Sequence, residues 1–254
     1  MGRRWAMAIV GLVLCGQVLG QGEKSGTSRR VKESYWQVGG QAGLTQFYGE
    51  LNNQDMQGVV DLSVSYHFDR RWALELDYAV GKLGGERIPY FNSYFITRFN
   101  EIGLLAQWNV MEQWNKEKTP SRFNIVLCGG LGLMNFNAKA YDIDSNVLQR
   151  FSNSSSSKRN GLFLKWGKPH GPSGIKNTHE GVIPLGMVLD FNPRPHWRLG
   201  MAYRFGFVRT DKLDATSGYR LVNPEESTSY SDTPNDRYSY LVFSVTYRFG
   251  SQKR

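Results

Sequence analysis

The fold of this chain is decided by residues 59–81, which read VVDLSVSYHFDRRWALELDYAVG. Apolar and polar residues alternate strictly on both sides of the turn at 69–71, and this period of two predicts two β-strands joined in a hairpin. Each strand is about ten residues long, which is the length of a strand that crosses a membrane at a tilt. One face of the hairpin carries charges (Asp61, Glu75, Asp77), and the other is apolar throughout: Val60, Leu62, Val64, Tyr66, Phe68, Trp72, Leu74, Leu76, Tyr78 and Val80.

Six further segments show the same alternation, so with the two strands of the hairpin the sequence predicts eight strands. Their apolar faces are Trp36, Val38, Gly40, Ala42 and Leu44; Ile102, Leu104, Ala106, Trp108 and Val110; Phe123, Ile125, Leu127, Leu131 and Leu133; Ile183, Leu185, Met187, Leu189 and Phe191; Trp197, Leu199, Met201, Tyr203, Phe205 and Phe207; Leu241, Phe243, Val245, Tyr247 and Phe249. The predicted connections alternate between short (69–71, 111–121, 192–196) and long (82–98, 136–180, 209–236). Outer-membrane barrels have short periplasmic turns and long external loops. We therefore predict an all-β fold, an eight-stranded antiparallel up-and-down transmembrane β-barrel.

A soluble eight-stranded barrel of the lipocalin type, or a β-sandwich, would show the same alternation with the apolar face turned inward. Bulky apolar faces opposite Gly-rich polar faces favour lipid on the outside. Aromatic residues also gather beside the short turns, as in an interfacial girdle: Phe68, Trp72, Trp108, Phe123, Phe191, Trp197 and Phe249. The predicted location is the outer membrane of a Gram-negative cell, with outer-membrane lipid as the surrounding partner.

The amino terminus has the pattern of a secretory signal. The apolar segment 6–19 follows Arg3 and Arg4, is too short to span a membrane as a helix, and ends in small residues. We predict a signal peptide at 1–20, a periplasmic lead-in at 21–34, the barrel at 35–250 and a basic tail at 251–254. The alternative is a lipoprotein acylated at Cys15.

The charge of the chain does not indicate a nucleic-acid partner. The formal net charge is +9, and loss of Arg3 and Arg4 with the signal leaves +7. The basic residues are scattered, and no strand alternates basic with aromatic residues on one face. Only Cys128 remains after processing, so an intramolecular disulfide is excluded.

The predicted inward face carries many charges, although the interior of an eight-stranded barrel is only wide enough for side chains. Buried charges need partners, so we predict an ion-pair network that fills the lumen. The alternative is a path for conduction. The predicted inward residues are Asp61, His67, Glu75, Asp77, Glu101, Asp190, Arg198, Arg204 and Arg248.

No pattern in the sequence predicts catalysis. His170 and His179 lie in the longest connection with Asp142 and Asp144, but no nucleophile elbow accompanies them. The four histidines lack metal-ligand spacing, and no glycine-rich segment is a phosphate loop. We predict a protein that is not an enzyme, with no catalytic residue, cofactor or metal.

The last strand ends in Tyr247-Arg248-Phe249. An alternating strand that ends in an aromatic residue is what the barrel-assembly machinery recognises in most bacterial barrels. Tyr247 and Phe249 are therefore the predicted assembly signal.

Several segments together resemble the PorG-like outer-membrane β-barrel family of Bacteroidetes, a component of the type IX secretion system. They are 72–81 (WALELDYAVG), 99–102 (FNEI), 132–140 (GLMNFNAKA), 183–186 (IPLG), 197–200 (WRLG) and 209–215 (RTDKLDA). The resemblance implies that the barrel anchors periplasmic ring proteins of a secretion or gliding apparatus to the outer membrane. The alternative is a general OmpA-like small porin or adhesin that acts through external loops.

A ring protein in the periplasm would have to contact the periplasmic turns. The turn at 111–122 is the longest and carries Trp114 beside Lys116 and Lys118. An exposed Trp flanked by charges is typical of an interface anchor, and it also suits the lipid headgroup region. We predict partner binding at Trp114, Lys116 and Lys118.

Overall fold

The long strands of the chain form one closed barrel. The computed structural model describes residues 34–88, 91–114, 121–151, 179–194, 196–216 and 235–249. The eight long strands are β1 (Tyr35–Tyr48), β3 (Gln57–His67), β4 (Trp72–Arg87), β5 (Ser93–Asn109), β6 (Phe123–Asp142), β8 (His179–Arg194), β9 (Trp197–Val208) and β10 (Arg237–Phe249). Two short strands, β2 (Asn53–Asp55) and β7 (Leu148–Phe151), and one helical turn, α1 (Val110–Trp114), complete the described elements.

Every long strand pairs with two antiparallel neighbours. The order is β1-β3-β4-β5-β6-β8-β9-β10, and β10 pairs with β1 to close the cycle. The predicted hairpin is formed by β3 and β4, with Val64 opposite Leu76. The fold-class prediction, an eight-stranded antiparallel barrel, is therefore confirmed.

The outward face of the barrel is an apolar belt. Large side chains that would be buried in a soluble protein are exposed on every long strand, for example Leu62 on β3 and Phe243 on β10. The predicted girdle lies at the end with the short turns, where Trp72 stacks on Trp108 (6.0 Å between centroids) and Phe123 contacts Phe191 (4.8 Å). An apolar belt with an aromatic girdle on a closed barrel is the signature of a transmembrane barrel. The protein is an outer-membrane β-barrel, and its short turns mark the periplasmic end.

Two predicted long connections are wrong, because the strands continue through them. Residues 82–98 were expected to be a loop, yet β4 runs to Arg87 and β5 begins at Ser93. Residues 136–180 were also expected to lack strands, yet β6 reaches Asp142, β7 follows at 148–151 and β8 begins at His179.

The reason is that the two faces exchange character at the external end. There the outward positions include exposed or half-exposed polar residues: Lys82, Arg98, Asn137 and Lys139. The inward residues are apolar and almost fully buried: Leu83, Phe95 and Phe136. The strands still alternate between inward and outward residues, but water replaces lipid outside, so the apolar residues now occupy the inward positions. The apolar pattern therefore shifts by one residue along each strand, and in the sequence this shift resembles the end of the strand.

The periplasmic connection after β5 begins with a helical turn. Val110, predicted to be the last outward residue of a strand, is the first residue of α1. Asn109 stands before the helix, and its side-chain oxygen accepts a hydrogen bond from the Glu112 amide (3.3 Å), as in an N-cap. The turn predicted at 192–196 is shorter, because β8 extends to Arg194.

Among the residues that the structure describes, no helix is long and apolar enough to cross a membrane. The predicted signal peptide (1–20), lead-in (all but its last residue) and basic tail (251–254) lie outside the described residues.

Candidate functional site

Arg204 on β9 is the centre of the polar network in the lumen. Its guanidinium donates to carboxylates on two strands across the barrel: Asp61 (3.3 Å) on β3, and Glu75 (2.6 Å) and Asp77 on β4. Arg204 is only 2% exposed and the three acids are buried. Charge-assisted bonds of this kind are stronger than neutral ones. The side chains therefore fill the lumen at this level, as predicted.

A glycine makes room for the network. Gly103 on β5 lies directly opposite Asp77, and a Cβ at this position would collide with the Asp77 carboxylate. The inward glycine thus allows the carboxylate to lie flat against the neighbouring strand.

The other predicted inward charges do not join Arg204. Arg198 pairs with Asp190 (3.2 Å), and Glu101 accepts a hydrogen bond from the Tyr238 hydroxyl. Two more residues lie at the periplasmic mouth: the His67 ring stacks on Tyr35 (4.3 Å), and the Arg248 guanidinium lies 3.5 Å from the centroid of that tyrosine ring. The single predicted network is therefore several separate groups.

A cavity of about 380 Å³ opens at the periplasmic mouth. The periplasmic ends of the long strands and α1 form its wall. Tyr35 belongs to this wall, and its hydroxyl accepts a hydrogen bond from the Arg198 guanidinium (3.3 Å). Asn192 links the end of β8 to the connection before β6, because its side-chain amide donates to the Ser121 carbonyl (2.9 Å).

The wall of this cavity is strongly basic. Its described residues include six arginines and two histidines: Arg70, Arg71, Arg122, Arg194, Arg198, Arg248, His67 and His196. Glu112 is the acidic residue of the described wall, and its carboxylate accepts the Ser121 amide (2.9 Å). In the described part of the chain, Arg122 and Arg194 form no ion pair. Guanidinium groups bind carboxylate and phosphate through paired hydrogen bonds, so this arrangement is suited to an anion.

Sequence reasoning missed this cavity, although a signal was present. Each periplasmic connection has arginine in it or directly beside it: Arg70 and Arg71 in the first, Arg122 just before β6, and Arg194 at the end of β8. One arginine in a short polar turn is unremarkable when each turn is considered alone. Barrel closure brings the three turns around one opening.

The predicted partner residue Trp114 lies at this same end. It is the last residue of α1 and is 71% exposed, two residues from Glu112 in the cavity wall. Lys116 and Lys118 lie outside the described residues. Of the three predicted partner-binding residues, the structure therefore describes Trp114, which lies beside the basic cavity; its role stays a prediction.

The predicted assembly signal is part of the aromatic girdle. Tyr247 contacts Trp197 (5.1 Å) and Phe249 (4.8 Å) on the lipid-facing side of the seam between β9 and β10. Phe249 is paired with Trp36 of β1, so it also lies at the seam that closes the barrel.

We expect truncation before Tyr247 to leave the chain degraded in the periplasm, because closure with β1 and the terminal aromatic pair are both lost. Deletion of residues 250–254 alone should leave insertion intact. Heat-modifiable migration of the membrane fraction measures both. Failure of the short deletion to insert would show that the signal extends beyond Phe249.

The acidic residue Asp142 of the longest predicted connection is not part of the wall of this cavity. Asp142 is the last residue of β6, at the external end, and its carboxylate accepts hydrogen bonds from Ser145 (2.9 Å) and Gln149 (3.0 Å). The hydrogen bonds from Ser145 hold the pKa of the Asp142 carboxyl below its usual value. His170 lies outside the described residues. That the protein is not an enzyme stays a prediction.

Comparisons with known proteins find similarity in structure only. No protein-family model matches the chain, and no curated protein sequence matches it. Solved structures that resemble it include Neisserial surface protein A (13% identity, 85% of this chain and 99% of that chain, TM-score 0.48). Another is Ail of Yersinia pestis in complex with the heparin analogue sucrose octasulfate (13% identity, 85% of this chain and 99% of that chain, TM-score 0.45). A third is the outer membrane protein OprG of Pseudomonas aeruginosa (12% identity, 86% of this chain and 96% of that chain, TM-score 0.43).

Proposed function

We propose that this barrel anchors a periplasmic protein to the outer membrane, and that the partner is a ring protein of a type IX secretion or gliding apparatus. The observation that carries the proposal is the basic cavity at the periplasmic mouth. The resemblance to the PorG-like family supplies the identity of the partner. On this proposal the barrel is a fixed base for an assembly and carries no substrate through its lumen.

The contrast between the two ends of the barrel supports this role. At the external end the segment 209–216 folds into the mouth, where Leu213 and Ala215 are fully buried in an apolar cluster with Phe95 and Phe136. The lumen is filled by Arg204 and its acids. The periplasmic end keeps an open recess with exposed charges, which is the surface a partner in the periplasm can reach.

The chemistry of the recess indicates what the partner presents. Arginines from separate turns around one opening favour an acidic side chain or chain terminus that inserts into it. Trp114 supplies the apolar contact at the rim, and an exposed Trp beside a charged pocket is a typical hot spot. The partner surface is therefore expected to be acidic with an apolar neighbour.

The decisive experiment reverses charge at the recess. We expect Arg122→Glu combined with Arg194→Glu to release the periplasmic partner from tagged barrel isolated after cross-linking, and to lower secretion, while the barrel still inserts. The matched control is Lys82→Glu with Arg98→Glu, an adjacent exposed pair at the external end. It changes the net charge equally and should retain the partner.

A second pair of variants separates this function from the adhesin or porin alternative. Trp114→Ala with charge reversal at Lys116 and Lys118 should also release the partner, and shortening the loop at 143–175 should leave secretion unchanged. Should the loop deletion stop secretion while the Trp114 variant secretes normally, the contact is external and the anchor proposal fails.

A further inference from the structure

Three carboxylates meet at the external mouth, above the membrane-spanning part of the barrel. Glu50 follows β1, Asp214 belongs to the segment 209–216, and Asp236 directly precedes β10. One oxygen atom from each lies within 4.8 Å of the others. Asp214 and Asp236 are fully buried and Glu50 is half-buried.

One of these acids carries a buried oxygen without a donor. Asp214 receives the amides of Leu51 (3.1 Å) and Thr216 (2.8 Å), one on each oxygen. Asp236 Oδ2 receives the Leu213 amide (2.7 Å), whereas Oδ1 is buried and has no hydrogen-bond partner among the described residues. Oδ1 lies so close to Gly49 that a Cβ there would collide with it. Oδ1 therefore points toward Gly49, the residue that directly precedes Glu50.

Two arginines lie near the cluster, and the charge of Arg150 attracts the Asp214 carboxylate, but the hydrogen bonds of both arginines go to other groups. The Arg150 guanidinium donates to the Ala215 carbonyl (3.1 Å) and the Thr216 hydroxyl (3.1 Å), and Arg87 donates to the Glu50 carbonyl (3.1 Å). These bonds hold the surrounding backbone in place.

The cluster disfavours negative charge in the absence of a cation. Asp214 and Asp236 are fully buried, and their carboxylates lie close to each other and to that of Glu50, so like charges meet where water screens them little. Uncompensated charge in a buried position is costly, so a bound cation would stabilise this end of the protein.

We propose that Glu50, Asp214 and Asp236 bind a calcium ion. Ca²⁺ takes carboxylate oxygens at about 2.3–2.6 Å, so two ligands on opposite sides of the ion are up to about 5 Å apart. Oxygen atoms that all lie within 4.8 Å of one another can therefore share one Ca²⁺ ion. Ca²⁺ accepts irregular sites built from protein oxygens, whereas Mg²⁺ requires near-ideal octahedral geometry and usually keeps several waters.

The ion would join three parts of the chain that are distant in sequence: the end of β1, the segment 209–216 and the start of β10. Asp214 and Asp236 already hold the amides of Leu51 and Leu213, and both leucines are fully buried in the apolar cluster. The Thr97 hydroxyl on β5 also donates to the Leu213 carbonyl. Calcium binding would thus stabilise the position of Leu51 and Leu213 in the apolar cluster that fills the external mouth.

The test is calcium binding to the purified full-length protein in detergent after EDTA treatment, measured by equilibrium dialysis and by calorimetry with CaCl₂. We expect one Ca²⁺ per chain and weaker binding of MgCl₂. Asp236→Asn should weaken Ca²⁺ binding by more than about tenfold, because even the loss of a residue that only supports a ligand usually costs 10–100-fold. Asp144→Asn, an exposed acid on a neighbouring external turn, is the matched control and should bind as the unchanged protein does.

Limited trypsin digestion gives a second readout. Ca²⁺ should slow cleavage at Arg209 and Lys212 in the unchanged protein and have no effect on Asp236→Asn. If that variant does not fold, Glu50→Gln, at the half-buried position, replaces it with the same expectation. Absence of Ca²⁺ binding at millimolar concentration, Mg²⁺ binding as tight as Ca²⁺ binding, or unchanged binding by both variants would each overturn the proposal.

Discussion

Replacement of Arg204 by Met is expected to destabilise the folded barrel by about 3–5 kcal/mol, the usual result when one partner of a buried ion pair is removed. Arg204 is the cation bound to Asp61, Glu75 and Asp77 inside the lumen. Met fills a similar volume, so packing is largely kept and the loss is electrostatic. The carboxylates that remain are buried and face one another.

Urea unfolding in lipid vesicles, followed by tryptophan fluorescence, measures this loss. The matched control is Arg98→Met, an exposed outward arginine at the external end, which should change the free energy of unfolding by less than about 1 kcal/mol. Arg204→Lys should be intermediate, because a lysine keeps the charge but cannot form the fork of hydrogen bonds. Equal stability of Arg204→Met and Arg98→Met would show that the network contributes nothing to the barrel.

The second large effect concerns the lipid face. Leu76 is an exposed outward residue in the middle of the apolar belt on β4. Leu76→Arg should cost about 2–4 kcal/mol of folding free energy, the range for a cation at the bilayer midplane. Ile96 is also an exposed outward residue, but it lies on the part of β5 whose neighbours face water. Ile96→Arg should cost about 0–1 kcal/mol, as near an interface.

This pair tests the exchange of faces directly, because both substitutions replace an outward aliphatic residue with arginine. Folding yield and urea unfolding in the same vesicles provide the comparison. If the two variants are equally destabilised, lipid covers both positions and the membrane boundary at Lys82 and Arg98 is misplaced. If neither is destabilised, Leu76 does not face lipid.

Much of the fold was predictable because alternation is local. Each strand shows by itself which of its residues share a face, as with Leu74, Leu76 and Asp77 on β4. The external strand ends were missed for a physical reason. Leu83, Phe95 and Phe136 are inward and apolar, and the period of two does not record whether lipid or water lies on the other side.

The candidate sites were less predictable, because their residues are distant in sequence. Arg204 lies 143, 127 and 129 residues from Asp61, Asp77 and Glu75. Its inward direction was a sequence prediction, but its choice of acids depends on how the closed barrel places β9 opposite β3 and β4.

By itself the sequence determined eight strands and, within each strand, which residues share the apolar face and which the polar face, since both follow from a repeat of two within one strand. Only the tertiary structure decided that arginines of three turns surround one periplasmic cavity, and that Glu50, Asp214 and Asp236 converge at the other end. Closure of the sheet joins β1 to β10 and gathers the turns of each end into a ring. Charges that are unremarkable along the chain become neighbours in that ring.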